Sequence, residues 1–493
     1  MISIKNNIDK YIIFLFFLFP FFLISGPFLS DFFVILLSLI FLINKNILKN
    51  CKSNLFIFFL IFYFYLNINS LFSFNSSISS WSSVPYIRFI LFSFVLSYFL
   101  NKVLNLRKII FFSFFLSYII LFLDSILQLS SGYNILGHPI ITNRISSLFG
   151  DKLVMGSFVA RSLPILLAIS FIEDFKNKRI INALVLIISG TLIFFSAERL
   201  AFAYYFITIF LFIILTINKR NLFYYLFFII ALLCLLFFAK PSSWNRIVNH
   251  TISQIKNTSN GIGISYRHEL HYLTAYKLFL DEKIIGHGLK SFRNLCDKEK
   301  YDLNDKIIND NKLPSPFDGF IYFTQEEIFV VPTNFFDNSK VEFNPKIESH
   351  LAKAYRIPVN NNGLVIFIKK NGDTIKKGEI IGSFYEFKNG CNTHPHNVHL
   401  EFLSELGLIG YSFLMMFFTY VIFKIIKVFI YIVKNFNKKI KQDKYILYSL
   451  FILVGLFNSL FPLFPSGSFF NNWLSVIFYF NVGFLINIKK IIK

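Results

Sequence analysis

Apolar residues in this chain gather into unbroken runs at about 11–24, 32–43, 55–72, 85–100, 109–129, 153–172, 180–195, 200–217, 222–239, 403–423, 445–463 and 469–488. A helix crosses a hydrocarbon core of about 30 Å with roughly 20 apolar residues, so most of these runs suit a bilayer. Backbone in lipid must be paired internally, which leaves helices or a closed barrel, and the alternation of a barrel strand is absent from these runs. The pattern predicts an all-α integral membrane protein of about 12 transmembrane helices. Nine fall in 1–239, a polar loop follows over 240–397, and three fall in 398–493. Lys5 and Lys10 precede the first run, but no small-residue cleavage site follows it, so an uncleaved first hairpin is expected.

The formal charge of +22 raises the question of nucleic acid, and its distribution answers it. With the N-terminus inside, the inner loops and both termini carry 23 Lys and Arg against 4 Asp and Glu, whereas the loop 240–397 carries 21 against 17. The clusters Lys45/Lys49/Lys52, Lys102/Arg107/Lys108, Lys176/Lys178/Arg179, Lys219/Arg220 and Lys438/Lys439/Lys441 all fall on one side. Such a bias is the positive-inside signature, so the charge orients the chain and nucleic acid is not an expected partner. The large loop then lies outside, where disulfides persist. Of the four cysteines, Cys296 and Cys391 lie in that loop, and a bridge between them is expected; Cys51 falls inside and Cys234 within a span.

Within the loop, Leu270, Leu273, Tyr276, Leu278 and Phe279 repeat at helical spacing ahead of the turn Gly286-His287-Gly288. An amphipathic helix on or beside the membrane is predicted across 262–292. From about 313 to 387 short β-branched runs alternate with Asn-Gly and Lys-Gly turns, which predicts a small β insertion. Its phrase Lys-Lys-Asn-Gly-Asp-Thr-Ile-Lys-Lys-Gly-Glu-Ile-Ile-Gly looks like a hairpin of the lipoyl type, without a modification motif around a carrier lysine.

Candidate chemistry concentrates just past the insertion. The stretch Cys391-Asn-Thr-His394-Pro-His396-Asn397-Val-His399-Leu-Glu401-Phe-Leu-Ser-Glu405 places three histidines and two glutamates beside a membrane run. Imidazole exchanges protons near neutral pH, which suits it to acid–base work. A zinc site on His394, His396 and His399 lacks an external cysteine or carboxylate set to complete a tetrahedron, so no metal is expected. Arginine is the second signal. A guanidinium in lipid costs roughly 2.5–3.5 kcal/mol even on lenient scales, so Arg161, well inside its run, needs an anion, a partner such as Asp124, or water. Arg88 poses the same question nearer the boundary, with an internal salt bridge as the simpler answer. Arg199 follows Ser196-Ala197-Glu198 at the outer start of a run.

Three of these stretches together resemble the O-antigen ligase and polymerase family of polytopic membrane glycosyltransferases. They are Ser196-Ala197-Glu198-Arg199-Leu-Ala-Phe202, Tyr266-Arg267 leading to Gly286-His-Gly288-Leu-Lys-Ser291-Phe292, and His394-Pro-His396-Asn397 leading to Glu405-Leu-Gly407-Leu-Ile-Gly410. Ala197 stands where the family has glycine, and the family's tryptophan after Arg267 is absent, with Tyr272 in its place. The β insertion is outside the resemblance.

The resemblance implies an enzyme of the bacterial inner membrane with a periplasmic site. Its donor would be a glycan on undecaprenyl pyrophosphate and its acceptor lipid A-core. Polymerases and protein O-oligosaccharyltransferases use the same donor, and a non-enzymatic polysaccharide transporter is the remaining alternative. His396, Arg199 and Arg267 are the implied catalytic residues, and Arg161, Arg88, His394, Asn397 and Glu401 the implied substrate contacts. Arginine forks hold phosphate oxygens two at a time and stay charged, as a diphosphate leaving group requires. The external region has no glycine-rich phosphate loop or Asp-x-Asp pair for a nucleotide sugar, so no cofactor is expected.

Overall fold

The computed structural model describes residues 7–43, 47, 53–216, 237–256, 265–303, 311–323, 328–332, 355–357, 363–370, 372–386, 389–434 and 444–491. Every apolar run within those residues is helical. The chain begins α1 (Asn7–Ser25), α2 (Pro27–Ile43), α3 (Asn54–Leu71), α4 (Ser76–Ser83), α5 (Ile87–Lys102) and α6 (Leu106–Ser131). It continues with α7 (Met155–Ile172), α8 (Lys178–Ser196), α9 (Arg199–Thr216), α10 (His250–Lys256) and α11 (Tyr266–Asp281), and ends with α12 (Val398–Lys434), α13 (Lys444–Leu460) and α14 (Asn472–Ile491). Most of the run at 222–239, and with it Cys51, Cys234, Lys219/Arg220, Lys45/Lys49/Lys52 and Lys438/Lys439/Lys441, lies outside the described residues.

Among the described residues six helical stretches are long and apolar enough to cross a membrane: Asn54–Leu71, Ser76–Lys102, Leu106–Ser131, Met155–Ile172, Lys178–Ser196 and Val398–Lys434. Shorter apolar helices, Pro27–Ile43, Lys444–Leu460 and Asn472–Ile488 among them, pack with these. A helix apolar on every side belongs in the middle of a bundle or in lipid, and the chain uses both solutions. α7 is central, buried over 89% of its apolar window and packed by α13, α8, α9 and α6, whereas only 22% of the α12 window is covered by protein.

The polar loop holds the expected helix and strands and departs from expectation in the lipoyl-like phrase. Ser265 opens α11, its hydroxyl accepting the His268 N–H. Part of the apolar surface of this helix packs on protein, where Ala275 and Leu278 meet Phe292, Leu295, Cys296 and Tyr301 and Cys391 and Leu400 close the cluster, while Tyr276 and Leu280 stay exposed. The helix lies against α12. The β insertion has seven strands among the described residues: β1 (Asn311–Pro314), β2 (Gly319–Phe323), β3 (Ile328–Pro332), β4 (Tyr355–Ile357), β5 (Gly363–Phe367), β6 (Thr374–Ile375) and β7 (Ile380–Glu386). They form sheets of order β1-β7-β5 and β4-β3-β2-β6. The lipoyl-like phrase is therefore not a hairpin; its limbs β6 and β7 pair in different sheets, and the turn between them is a corner.

Two family-like stretches meet backbone to backbone. α12 is broken at Gly407 (φ 62°, ψ −166°), a region that favours glycine. A Cβ there would lie 2.3 Å from the Ile284 carbonyl oxygen, and one on Gly286 would lie 2.5 Å from the Gly407 nitrogen. The contact is stitched by N–H donation from His287 to Ser404 O (3.2 Å), Gly288 to Glu405 O (2.7 Å) and Leu408 to Lys283 O (2.8 Å). The glycines of both stretches thus answer one packing requirement.

Candidate functional site

The turn before α9 is built around a residue in a costly conformation. Ala197 has φ 51°, left-handed backbone in which a Cβ is disfavoured. Arg144 braces it, donating from Nε to Ser196 O and from Nη2 to Leu153 O, each at 2.9 Å, and lying 3.7 Å from Glu198. The neighbouring Lys240 is buried and donates to Phe195 O at 2.9 Å. Burial, then the nearby Arg144 charge, pushes its pKa down to about 7. Arg199 leaves this turn with Nη1 donating to Gln254 Oε1 of α10 at 2.5 Å.

The segment 389–397 is pinned to α11. A disulfide joins Cys391 to Cys296, with Cα atoms 4.9 Å apart. Gly390 donates its N–H to Thr274 Oγ1 at 2.9 Å, and its carbonyl accepts from His271 Nδ1 at 2.6 Å. His396 follows with φ 55°, a strained state for a residue with a Cβ and one that clusters at functional sites. Its carbonyl accepts the Ser466 N–H at 2.7 Å.

Four imidazoles meet here. Around His396 the ring centroids of His394, His271 and His268 lie at 4.1, 5.0 and 5.6 Å. Tyr272 lies 6.4 Å from His268. Burial pushes the His268 pKa down to about 4, helped by His271, Arg199, Arg267 and His394. It does the same to His394, to about 4. His396 falls to about 2 through burial and then the fields of His394, His271, His268 and Arg267. Burial also lowers His271, against its hydrogen bond to Gly390. All four rings are neutral at pH 7, and neutral imidazole is the form that accepts a proton. The fields of Arg199 and of the exposed Arg267 both fall on His268, so residues from three separate stretches of sequence converge.

Other expected site residues have structural tasks. Asn397 caps α12: its Oδ1 accepts from the His399 and Leu400 N–H groups at 2.9 and 3.1 Å, and its Nδ2 donates to Pro462 O at 2.6 Å. Glu401 accepts from the Ser468 hydroxyl at 2.5 Å and the Phe469 N–H at 2.8 Å. Glu405 accepts from the N–H groups of Lys290 and Phe292 at 2.8 and 3.3 Å. His399 points away from the cluster, to Leu460 O (2.8 Å) and Tyr411 Oη (3.2 Å). Arg88 spends its fork on Asp31 (2.7 and 3.2 Å) and Pro85 O. Asp124 is not the partner of Arg161; it accepts from the Ile135 N–H and the Ser147 hydroxyl. Arg161 is buried beside Ser459 Oγ (3.4 Å) and 5.7 Å from the Tyr204 ring centroid, with its Nε lacking a hydrogen-bond partner among the described residues. Among the described residues no three His, Cys, Asp or Glu side chains are placed to hold a metal ion.

Residues 184–315 match the O-antigen ligase family model. The matched segment includes the Ala197–Arg199 turn, Arg267 and the Gly286-His-Gly288 turn, and it supports the family reading of the sequence. The His394–Gly410 stretch lies beyond it, tied to it by the disulfide and the glycine contact. No curated protein matches the chain. The match makes this segment similar to an O-antigen ligase domain, and it stands in a chain whose described residues include helices long and apolar enough to cross a membrane.

His268 and His271 are the site residues that sequence reasoning missed. They stand three apart on one helix, the spacing that puts side chains on one face, directly after Arg267. That spacing was the available signal.

Proposed function

We propose that this protein transfers a glycan from undecaprenyl pyrophosphate to lipid A-core at the periplasmic face of the bacterial inner membrane. Arg199 and Arg267 hold the donor's pyrophosphate and stabilise the charge that grows on it as the bond to the sugar breaks. The histidine cluster around His396 removes the proton of the attacking hydroxyl. The observation that carries this reading is the convergence of two arginines from separate elements on one group of neutral imidazoles. A pyrophosphate leaving group departs as a stable dianion or trianion, so cations and one base suffice and this chemistry needs no bound nucleotide.

The test is reconstitution of the full chain in lipid with an undecaprenyl-pyrophosphate glycan, offering in turn lipid A-core, a second lipid-linked glycan and an acceptor protein. Product on lipid A-core alone supports the ligase. Product on a second lipid-linked glycan makes it a polymerase and product on protein an oligosaccharyltransferase, while absence of all three products removes the enzymatic reading.

A further inference from the structure

Hydrogen bonding in the cluster fixes which nitrogen carries hydrogen on the two central rings. A carbonyl oxygen only accepts, so the 2.6 Å contact from His271 Nδ1 to Gly390 O requires Nδ1–H. The neutral ring then has its lone pair on Nε2, which makes no hydrogen bond to the described residues. This arrangement is held firmly, because Gly390 is also anchored to Thr274 and a Cβ on it would lie 2.2 Å from the His271 backbone nitrogen.

His396 has the opposite tautomer. Asn392 Oδ1 accepts the Thr393 N–H at 2.7 Å, which turns the Asn392 Nδ2 toward His396 Nε2 at 3.0 Å. An amide nitrogen only donates, so the His396 lone pair is already engaged and its hydrogen is on Nδ1. The two rings stack with an interplanar angle of 27°. His394 has both nitrogens occupied, by Ser466 O and by the Thr393 hydroxyl. His268 Nδ1 meets the Ser265 hydroxyl, which serves either tautomer.

We propose that His271 Nε2 is the atom that takes the acceptor's proton, with His396 beside it donating a hydrogen bond from Nδ1 to the reacting oxygens. The proposal rests on the transfer reaction given above. The hydroxyl proton moves to His271 Nε2 as its oxygen forms a bond to the anomeric carbon. The bond from that carbon to the pyrophosphate oxygen breaks, and its electron pair leaves on the diphosphate. The imidazolium then releases its proton to water. The charged and titratable groups around His271 are Arg267 and His268 of its own helix, His394 and His396 of the facing segment, and Arg199, whose field reaches the cluster through His268.

The experiment uses the full chain in lipid nanodiscs with an undecaprenyl-pyrophosphate glycan and its acceptor. His271→Asn keeps an N–H for Gly390 and removes the base. It should lower kcat by about 100-fold or more, leave donor binding within a few-fold, and abolish the acid limb of the pH–rate profile. His271→Ala should be equally slow and be partly restored by added imidazole, a readout that a folding defect does not give. His396→Gln should lower kcat and keep the acid limb. A His271→Asn enzyme within a few-fold of wild type, a slow one with its acid limb intact, or loss of that limb in His396→Gln overturns the assignment while the transfer reaction stands. A wild-type chain that transfers nothing overturns both.

Discussion

Glu198 reaches from the turn before Arg199 to the first turn of α7, where its Oε2 accepts both the N–H (3.1 Å) and the hydroxyl (2.7 Å) of Ser157. Its Oε1 accepts the Gly156 N–H at 2.8 Å. One carboxylate thus caps the helix that carries Arg161 and fixes the turn that carries Arg199.

Glu198→Ala would leave those donors unpaired in a buried setting, at a cost of about 1–3 kcal/mol for the group. The expected result is a lower thermal midpoint in detergent together with weaker donor binding, since Arg199 loses its anchor. Glu198→Gln keeps one acceptor oxygen and should fall between Ala and wild type. A Glu198→Ala protein with an unchanged midpoint would show that this cap is dispensable.

The membrane helices were legible in the sequence because uniform apolar runs leave the backbone one solution. The stretches around Arg199 and Arg267 stood out locally in the sequence, but the convergence of both arginines' fields on His268 did not. The β insertion was legible as strands but not as two sheets, since alternation reports that a strand exists and says nothing of its partner. His268 and His271 were not legible, because their meaning comes from a segment more than a hundred residues away that Gly390 and a disulfide bring onto the same helix face. The tasks of Glu401, Asn397 and His399 were hidden for a related reason: their partners Ser468, Pro462 and Leu460 follow in later parts of the chain. Ala197 shows the reverse, a local departure whose consequence is visible only in the backbone, where it adopts the left-handed state without glycine.

The disulfide closes a separation of 95 residues that includes the β insertion. Chain entropy alone values such a loop at about 4–5 kcal/mol. Thiol counting on denatured, unreduced protein should find Cys51 and Cys234 and no others; four reactive thiols would reject the bridge. Reduction should lower the thermal midpoint and, because Cys391 lies three residues before His394, reduce transfer in the same samples.

Stability should fall on acidification. His268, His394 and His396 titrate well below their ordinary value of about 6.5 in the folded protein. As pH drops below 6.5 the unfolded chain takes up protons that the folded cluster refuses, so the unfolded state is stabilised relative to the folded one. The stability is complete above about 6.5 and is lost progressively toward 4. Thermal midpoints measured from pH 7.5 to 4.5 should decline, and replacing His268 and His394 by glutamine should flatten the slope. An equal slope in the double variant would place the acid sensitivity elsewhere.

Arg199 is steered by Gln254, which accepts from its Nη1. If the guanidinium holds pyrophosphate, its planar fork matters as well as its charge. Arg199→Ala should weaken donor binding and turnover together, because the contact exists in the ground state and strengthens as charge leaves with the diphosphate. Hydrogen bonds to charged groups contribute roughly 1.5–3 kcal/mol, so a loss on the order of 10-fold to 100-fold in kcat/KM is expected. Arg199→Lys restores the charge but not two parallel donors, and should recover only part of that loss. Gln254→Ala leaves the arginine in place and removes one of the contacts that orient it, so donor KM should rise with kcat nearly unchanged. Direct measurement of lipid-pyrophosphate binding separates these outcomes: full donor affinity in Arg199→Ala would remove Arg199 from the pyrophosphate site and leave Arg267 as the cation beside the histidines.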